Sequence, residues 1–521
     1  MRRVLLALLP LLVLPASQAA SLKADKPFDL DATVARAMRE FNIPGMAVAI
    51  VKDGKVVVAK GFGQRQAGLP AIVDGNTLFG IASNTKAFTA AALAILVDEG
   101  KLDWDDPVIK HLPSFAMWDP QVTRELTIRD LLAHRSGLGL GEGDLLWWPH
   151  TDYSREEIVR RLRYLEPAAP FRSRYAYDNV LYVVAGQVVA AVSGMSWDDF
   201  VRDRILVPLG MTSTRTSITR IPAGTNVAIP HVLNGAHSSP TAHLPIDNVA
   251  PCCAIVSNAN DMAAWMLAQL DHGAYRDGEG SARRIFSERQ SREMWSPQAV
   301  TSGSSQPAVE AGADPPPQSY GLGWALLDYR GHRTVSHTGT LRGMTSRVLL
   351  IPDARLGITV LENQDERGAF DAVAWSIVDS YLGAPSADWL QTLKLEADAQ
   401  EHAANAVSPR ELPHEREKPS LPMAAYAGRY RDSWYGDAIV SLDAGRLLLR
   451  FTHTPLLVGD LEPSNGDTFL ARWRDRTLNA DALVTFTLDK GRVAHMRLQP
   501  LSPLTDFSYD FRDLDFAPAS P

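Results

Sequence analysis

Three short segments carry residue types that could act together on a carbonyl group. Ser83-Asn84-Thr85-Lys86 places a hydroxyl and an amine three residues apart at the head of an apolar stretch. On a helix that spacing puts both on one face, within reach of each other. A serine hydroxyl is a poor nucleophile until a base takes its proton, and a lysine can be that base where burial and a helix N-terminus disfavour its charged form. Tyr177-Asp178-Asn179 follows Pro170-Phe171 and precedes a second helical pattern. Its phenol could shuttle protons between a serine and a leaving group if a cation lowers its pKa, while the Asn179 amide could bind a substrate carbonyl and hold the lysine. Ser336-His337-Thr338-Gly339-Thr340 falls on a predicted strand. A glycine there lets a substrate approach the backbone, and the N–H of Thr340 could then donate to an oxyanion together with that of Ser83. Singly, each segment has an ordinary structural explanation: a solvated lysine, a loop tyrosine beside a turn, a strand end with a satisfied histidine. For Lys86 the apolar surroundings argue against it.

The elements that must hold these groups follow from the hydrophobic pattern. Met46 to Val51 and Val56 to Gly63 flank Asp53-Gly54, a strong hairpin signal. Ser83 to Glu99 reads as a helix apolar on nearly every side, ended by Gly100, and such a helix lies in the middle of a domain. Further helices are predicted over Ile128–Leu132, Arg155–Leu165, Val180–Ser193, Trp197–Ile205 and Ala369–Leu382, with strands at Thr334–His337, Arg347–Ile351 and Leu356–Leu361. Thr301 to Gln318, with Pro315-Pro316-Pro317, reads as a surface loop. Strands at both ends with helices between them predict an α+β fold: an antiparallel sheet closed by distant segments, flanked by helices, with an all-helical subregion. Residues 396–422 are polar and carry Pro409, Pro413, Pro419 and Pro422, a linker composition. Beyond it, short alternating strands such as Arg446–Phe451 and Thr468–Trp473 predict a small all-β barrel or sandwich. The expected division is a leader at 1–20, a main domain at 21–395, a linker at 396–422 and a β domain at 423–521.

Composition bounds the rest. The 521 residues include 52 basic and 60 acidic side chains, for a net charge of −8, and no basic run gathers the footprint of a nucleic-acid binder. Arg2 and Arg3, an apolar run from Val4 to Leu14 and the small residues Ala16 to Ala20 have the layout of a secretory signal. Cleavage there removes two arginines and no acid, leaving a charge of −10 on an exported chain with no stable membrane insertion, periplasmic or secreted. The two cysteines, Cys252 and Cys253, are adjacent, so they close no loop and fall short of a zinc site.

Taken together in the order Ser, Tyr, His, the three segments resemble the penicillin-recognising serine hydrolases, nearest the class C β-lactamase and S12 serine peptidase and esterase group. Leu78-Phe79-Gly80-Ile81-Ala82-Ser83, Leu131 to Leu138 and Tyr320-Gly321-Leu322-Gly323-Trp324 match the family's wording as well, over roughly Phe28 to Gly383. The resemblance implies a β-lactamase/transpeptidase-like fold and acylation of Ser83, with Lys86 and Tyr177 as its base pair. It also implies substrate-binding roles for Asn179, His337, Gly339 and Thr340, and neither metal nor cofactor. His134 lies in a family motif as a structural, turn-closing residue. Three departures matter. His337 stands where β-lactamases usually carry lysine, which favours D-amino-acid-type peptidase or esterase activity over β-lactam or DD-carboxypeptide hydrolysis. Cys252-Cys253 replaces small residues. Ala424 to Phe516 resembles an appended lipocalin-like domain, through which the chain could form a homo-oligomer. The remaining partner expected is a small-molecule or peptide substrate. An α/β-hydrolase is disfavoured because Gly194-Met195-Ser196 is followed by Asp198 where a second glycine is required. A non-catalytic scaffold of the same fold is disfavoured by the intact Ser83, Lys86 and Tyr177.

Overall fold

The computed structural model describes residues 28–234, 237–301, 318–366, 368–385, 387–407 and 417–519. The leader at 1–20, most of the polar loop at 301–318 and residues 408–416 lie outside the described residues.

The centre is an eight-stranded antiparallel sheet. In chain order its strands are β1 (Gly45–Lys52), β2 (Lys55–Gly63), β3 (Ala299–Thr301), β4 (Gln318–Tyr320), β5 (Ala325–Tyr329), β6 (His332–Leu341), β7 (Met344–Ile351) and β8 (Leu356–Glu362). They lie in the order β2-β1-β8-β7-β6-β5-β4-β3, so the first hairpin joins strands some three hundred residues further on, with Met46 opposite Glu362 and Lys52 opposite Leu356. β1 has no polar face because helices cover both sides. Met46, Val48 and Ile50 enter a core shared with Leu30–Glu40, Ala369–Leu382 and Trp389–Val407. Ala47, Ala49 and Val51 enter the opposite core, where Ala259–Leu270 packs on the sheet and the helical subregion begins. Small alanines on that face let the helix approach closely.

The apolar helix predicted from Ser83 starts as a single 3-10 turn, Ala82–Asn84, and continues as α1 (Thr85–Asp98). Each of its residues from Thr85 to Leu96 is buried. The ring of Phe88 stacks on Trp265 at 3.9 Å, and Val180–Ser193, here α2, packs alongside.

The C-terminal segment is a closed barrel of eight strands from Gly428–Asp432 to Asp515–Pro518, sealed where Tyr430 pairs with Pro518. Buried Tyr426, Phe451, Phe469, Trp473, Phe486 and Phe516 fill it. The segment read as linker is shorter than its composition suggests. A helix, Trp389–Val407, runs through its first part. Trp389, Leu390 and Leu393 bury one side of that helix against the sheet's rear core, and no proline interrupts it before Pro409. At the other end, Ser420 N–H donates to Asp467 at 2.9 Å, so residues 417–422 already belong to the barrel.

The barrel sits against the helical subregion and the turn that joins β6 to β7. Arg161 donates to the Trp434 carbonyl at 2.6 Å, His453 meets Asp152 at 2.7 Å, and Arg342 pairs with Asp475 at 2.7 Å. Tyr153 also donates to the Tyr435 carbonyl.

Candidate active site

Ser83 lies in the turn at the mouth of α1, half-buried, and Lys86 one turn later is wholly buried. Ala82 just before it has φ of 48°, a left-handed conformation that non-glycine residues seldom adopt and that costs of order 1–3 kcal/mol. This bend aims Ser83 out of the helix start. Lys86 Nζ lies 3.2 Å from Ser83 Oγ, as the three-residue spacing requires. The same amine donates to Asn179 Oδ1 at 2.7 Å and contacts Cys252 Sγ at 3.1 Å.

Tyr177 and Asn179 arrive from the loop leading into α2. Tyr177 and Ser83 line the same cavity, and the Tyr177 ring centre is 4.6 Å from Lys86 Nζ. Burial pushes this phenol well above its ordinary range, so it is neutral near pH 7. His134 sits beneath, also at positive φ (56°), and its Nδ1 accepts the Asp178 N–H at 3.1 Å. Burial drives its basicity well down, so it works here as a neutral wedge that fixes the Tyr177 loop. Asn179 Nδ2 donates to Asp144 Oδ2 at 2.7 Å. Asp144 is fully buried and takes two more donors, Trp147 Nε1 and Ser508 Oγ, both at 2.8 Å. Burial raises its carboxyl to about 6 against the pull of these donors and of Lys86. At Cys252, burial opposes the thiolate, but Cys253 and Lys86 outweigh it and the thiol is shifted below its usual range.

The third segment lies on β6. A Cβ on Gly339 would stand 2.6 Å from Ser346 Oγ and closer still to the Ile81 carbonyl oxygen. Only glycine lets β6 press against the turn carrying Ser83, which brings the backbone of residues 339–340 beside that serine. His337 differs from expectation. Its Nδ1 lies 2.5 Å from the Thr338 carbonyl oxygen and so must donate, and Nε2 then accepts from the Tyr320 hydroxyl at 2.9 Å. Both nitrogens are engaged by the protein, so the ring lines the site rather than offering substrate a hydrogen bond. Burial, then the charge of Lys86, pull its pKa down to about 3. Arg342, five residues further along, is turned to Asp475 on the barrel.

Ser83, Tyr177, Asn179, His337 and Thr340 thus line one cavity of about 370 Å³, with Lys86 and Gly339 directly behind its wall. Two parts of the wall were not anticipated: Trp147, Trp148 and Tyr175 from the helical subregion, and Asp506, Phe507 and Ser508 from the barrel. Asp144 had one sequence signal, an acid directly before the apolar run Leu145 to Trp148, which must find partners if buried. Nothing in the sequence near Ser508 points to a site begun at Ser83.

An antiparallel sheet between helical layers, with a serine and a lysine one turn apart at the head of a buried helix, defines the penicillin-recognising fold. The chain belongs to the Beta-lactamase family, whose model matches residues 30–382. Residues 412–518 match a second model, a domain of unknown function, DUF3471. Among relatives, unguisins hydrolase ungD of Aspergillus violaceofuscus is 29% identical over 453 residues, covering 82% of this chain and 78% of that protein. Unguisins hydrolase ungD′ of Aspergillus campestris is 31% identical over 448 residues, covering 81% and 79%. The octameric penicillin-binding protein homologue from Pyrococcus abyssi superposes with a TM-score of 0.60 at 22% identity, over 90% of this chain and 97% of that one.

Proposed function

We propose that this chain is an exported serine hydrolase that cleaves amide or ester bonds through an acyl-enzyme on Ser83, as a D-amino-acid-type peptidase or esterase. One observation carries the reading: a wholly buried amine, Lys86, 3.2 Å from the hydroxyl of a half-buried serine that opens into a cavity. In this mechanism Ser83 Oγ attacks the substrate carbonyl carbon as its proton passes to Lys86. Tyr177, neutral and lining the same cavity as Ser83, hands a proton to the departing amine or alcohol and is reprotonated from Lys86. The N–H groups of Ser83 and Thr340 stabilise the oxyanion. Water then attacks the acyl carbon, gives a proton back along the same path and releases the acid. Because His337 is neutral, the site lacks a fixed cation at that position, which supports substrates without a carboxylate next to the scissile bond. The relatives named as hydrolases support the reaction class.

Ser83→Ala and Lys86→Ala should each lose at least a hundredfold in rate on an aryl ester, on the order of 3 kcal/mol of barrier. A fluorescent acylating probe should label Ser83 in the wild type. A panel of D-amino-acid amides, short-chain aryl esters, D-Ala-D-Ala peptides and a chromogenic cephalosporin tests the substrate class. Preference for the cephalosporin would overturn the peptidase or esterase reading, and an unlabelled Ser83 would mark a scaffold.

A further inference from the structure

The barrel does more than rest against the hydrolase domain. Between its strands Arg492–Pro500 and Asp515–Pro518, a loop carries Phe507 and Ser508 into the cavity wall. Ser508 Oγ donates to Asp144 Oδ2 at 2.8 Å, Asn179 Nδ2 donates to the same oxygen at 2.7 Å, and Lys86 Nζ donates to Asn179 Oδ1 at 2.7 Å. Lys86, Asp144, Asn179 and Ser508 are 0–4% exposed, so water does not compete for these bonds. Asp510, two residues past Ser508, accepts the N–H groups of Gly143 at 2.6 Å and Leu145 at 3.3 Å. The loop therefore holds Asp144 by its side chain and by the backbone on either side of it.

The geometry points to Ser508 and Asp144 as positioning residues for the lysine base, so that the C-terminal barrel completes the active site of the domain before it. An amide fits its pocket in two orientations that exchange oxygen and nitrogen. With Nδ2 turned towards Lys86, donor would face donor. A carboxylate on the far side selects the other orientation, with Oδ1 towards the amine, and so keeps Nζ within reach of Ser83 Oγ. Asp144 can do this only if its own buried lone pairs are filled, since an unpaired buried acceptor carries the full cost of its lost hydration. Trp147 fills one oxygen, and Asn179 with Ser508 fills the other. This assignment rests on the serine-hydrolase reading above.

The test is a double-mutant cycle in the full chain: Ser508→Ala, Asp144→Ala, their combination, and Ser508→Thr. The readouts are kcat and KM on a neutral p-nitrophenyl ester and the rate at which a fluorescent phosphonate labels Ser83. Ser508→Ala should lower kcat and the labelling rate about tenfold, the worth of a hydrogen bond to a charged group, with KM within about twofold. Ser508→Thr, which keeps the hydroxyl, should stay near wild type. The double variant should be no slower than Asp144→Ala, because one residue acts through the other. The assignment is overturned if Ser508→Ala keeps wild-type kcat and labelling, if the two losses multiply, if only KM moves, or if Thr is as slow as Ala. Failure of the underlying mechanism looks different: the wild type itself would not be labelled at Ser83, and the positioning role would fall with it.

Discussion

Lys86 is held by a hydroxyl, an amide oxygen and a sulfur, with its nearest carboxylate, Asp144, one hydrogen-bonded step away. This makes Asp144 the group whose charge the site reports as pH changes. Above about 6 it is an anion accepting three donors, and below that value it is protonated and must itself donate, so one of the three bonds is lost. Activity should therefore fall as pH drops through about 6, and Asp144→Asn should remove that inflection from the pH profile of kcat/KM. The histidines of the site cannot supply it, because His337 titrates near 3 and His134 well below its ordinary value. Burial likewise raises the neighbouring carboxyls Asp178 and Asp510 well above the usual range, and lifts Glu142 to about 7. Replacing the neutral ring by a cation, His337→Lys, should raise kcat/KM for a cephalosporin relative to a neutral aryl ester, and an unchanged ratio would remove the charge argument. Ser83, Lys86, Tyr177 and Asn179 were legible because each motif keeps its spacing within a few residues. Asp144 and Ser508 were not, since their partnership spans two domains and involves residue types common in any loop.

Among the elements, β6 and the barrel loop set the two sides of the cleft. β6 reaches the Ser83 turn only because Gly339 has no side chain: Gly339→Ala would drive a methyl into the Ile81 carbonyl and Ser346, and should cost about 1–3 kcal/mol of stability. It should also displace the Ser83 turn, so Ser83 labelling should slow in protein that still melts cooperatively. On the opposite side, Phe507 stands edge-on to Tyr177 at 6.1 Å and keeps 42% of its surface exposed to the cavity mouth. Phe507→Ala should raise kcat/KM for bulky esters relative to acetyl esters without slowing the small substrate, as a ratio of rates across an acyl-chain series would show. Elements with one clear signal were readable from sequence. The Asp53-Gly54 hairpin, α1, α2 and the helix Ala369–Leu382 follow from a turn dipeptide or an apolar pattern. The barrel strands Gly428–Asp432 and Val458–Asn465 were missed because the first alternates with arginines and the second carries Pro463 at a register shift. In both, pairing with neighbours decides what local pattern does not.

At the scale of the whole molecule, the barrel and the hydrolase domain are joined less by their linker than by their interface. Arg342–Asp475, His453–Asp152, Arg161–Trp434 and the Asp510 contacts are spread over it. A protease site inserted between residues 408 and 416 and then cut should yield two fragments that co-elute and keep turning over ester. Separation into two folded, independent pieces, the outcome a composition-based linker suggests, would refute this view of the interface. The same geometry gives the chain a clock. Ser83 and Lys86 leave the ribosome early, and β1 must then wait for β8 before the sheet can close. Even that closed domain still lacks the hydroxyl of Ser508, which at ordinary rates of translation follows Ser83 by roughly 20–90 s. On the proposed mechanism, a nascent chain stalled short of the barrel's last loop therefore carries Ser83 and Lys86 without the hydroxyl that helps to hold the lysine in place.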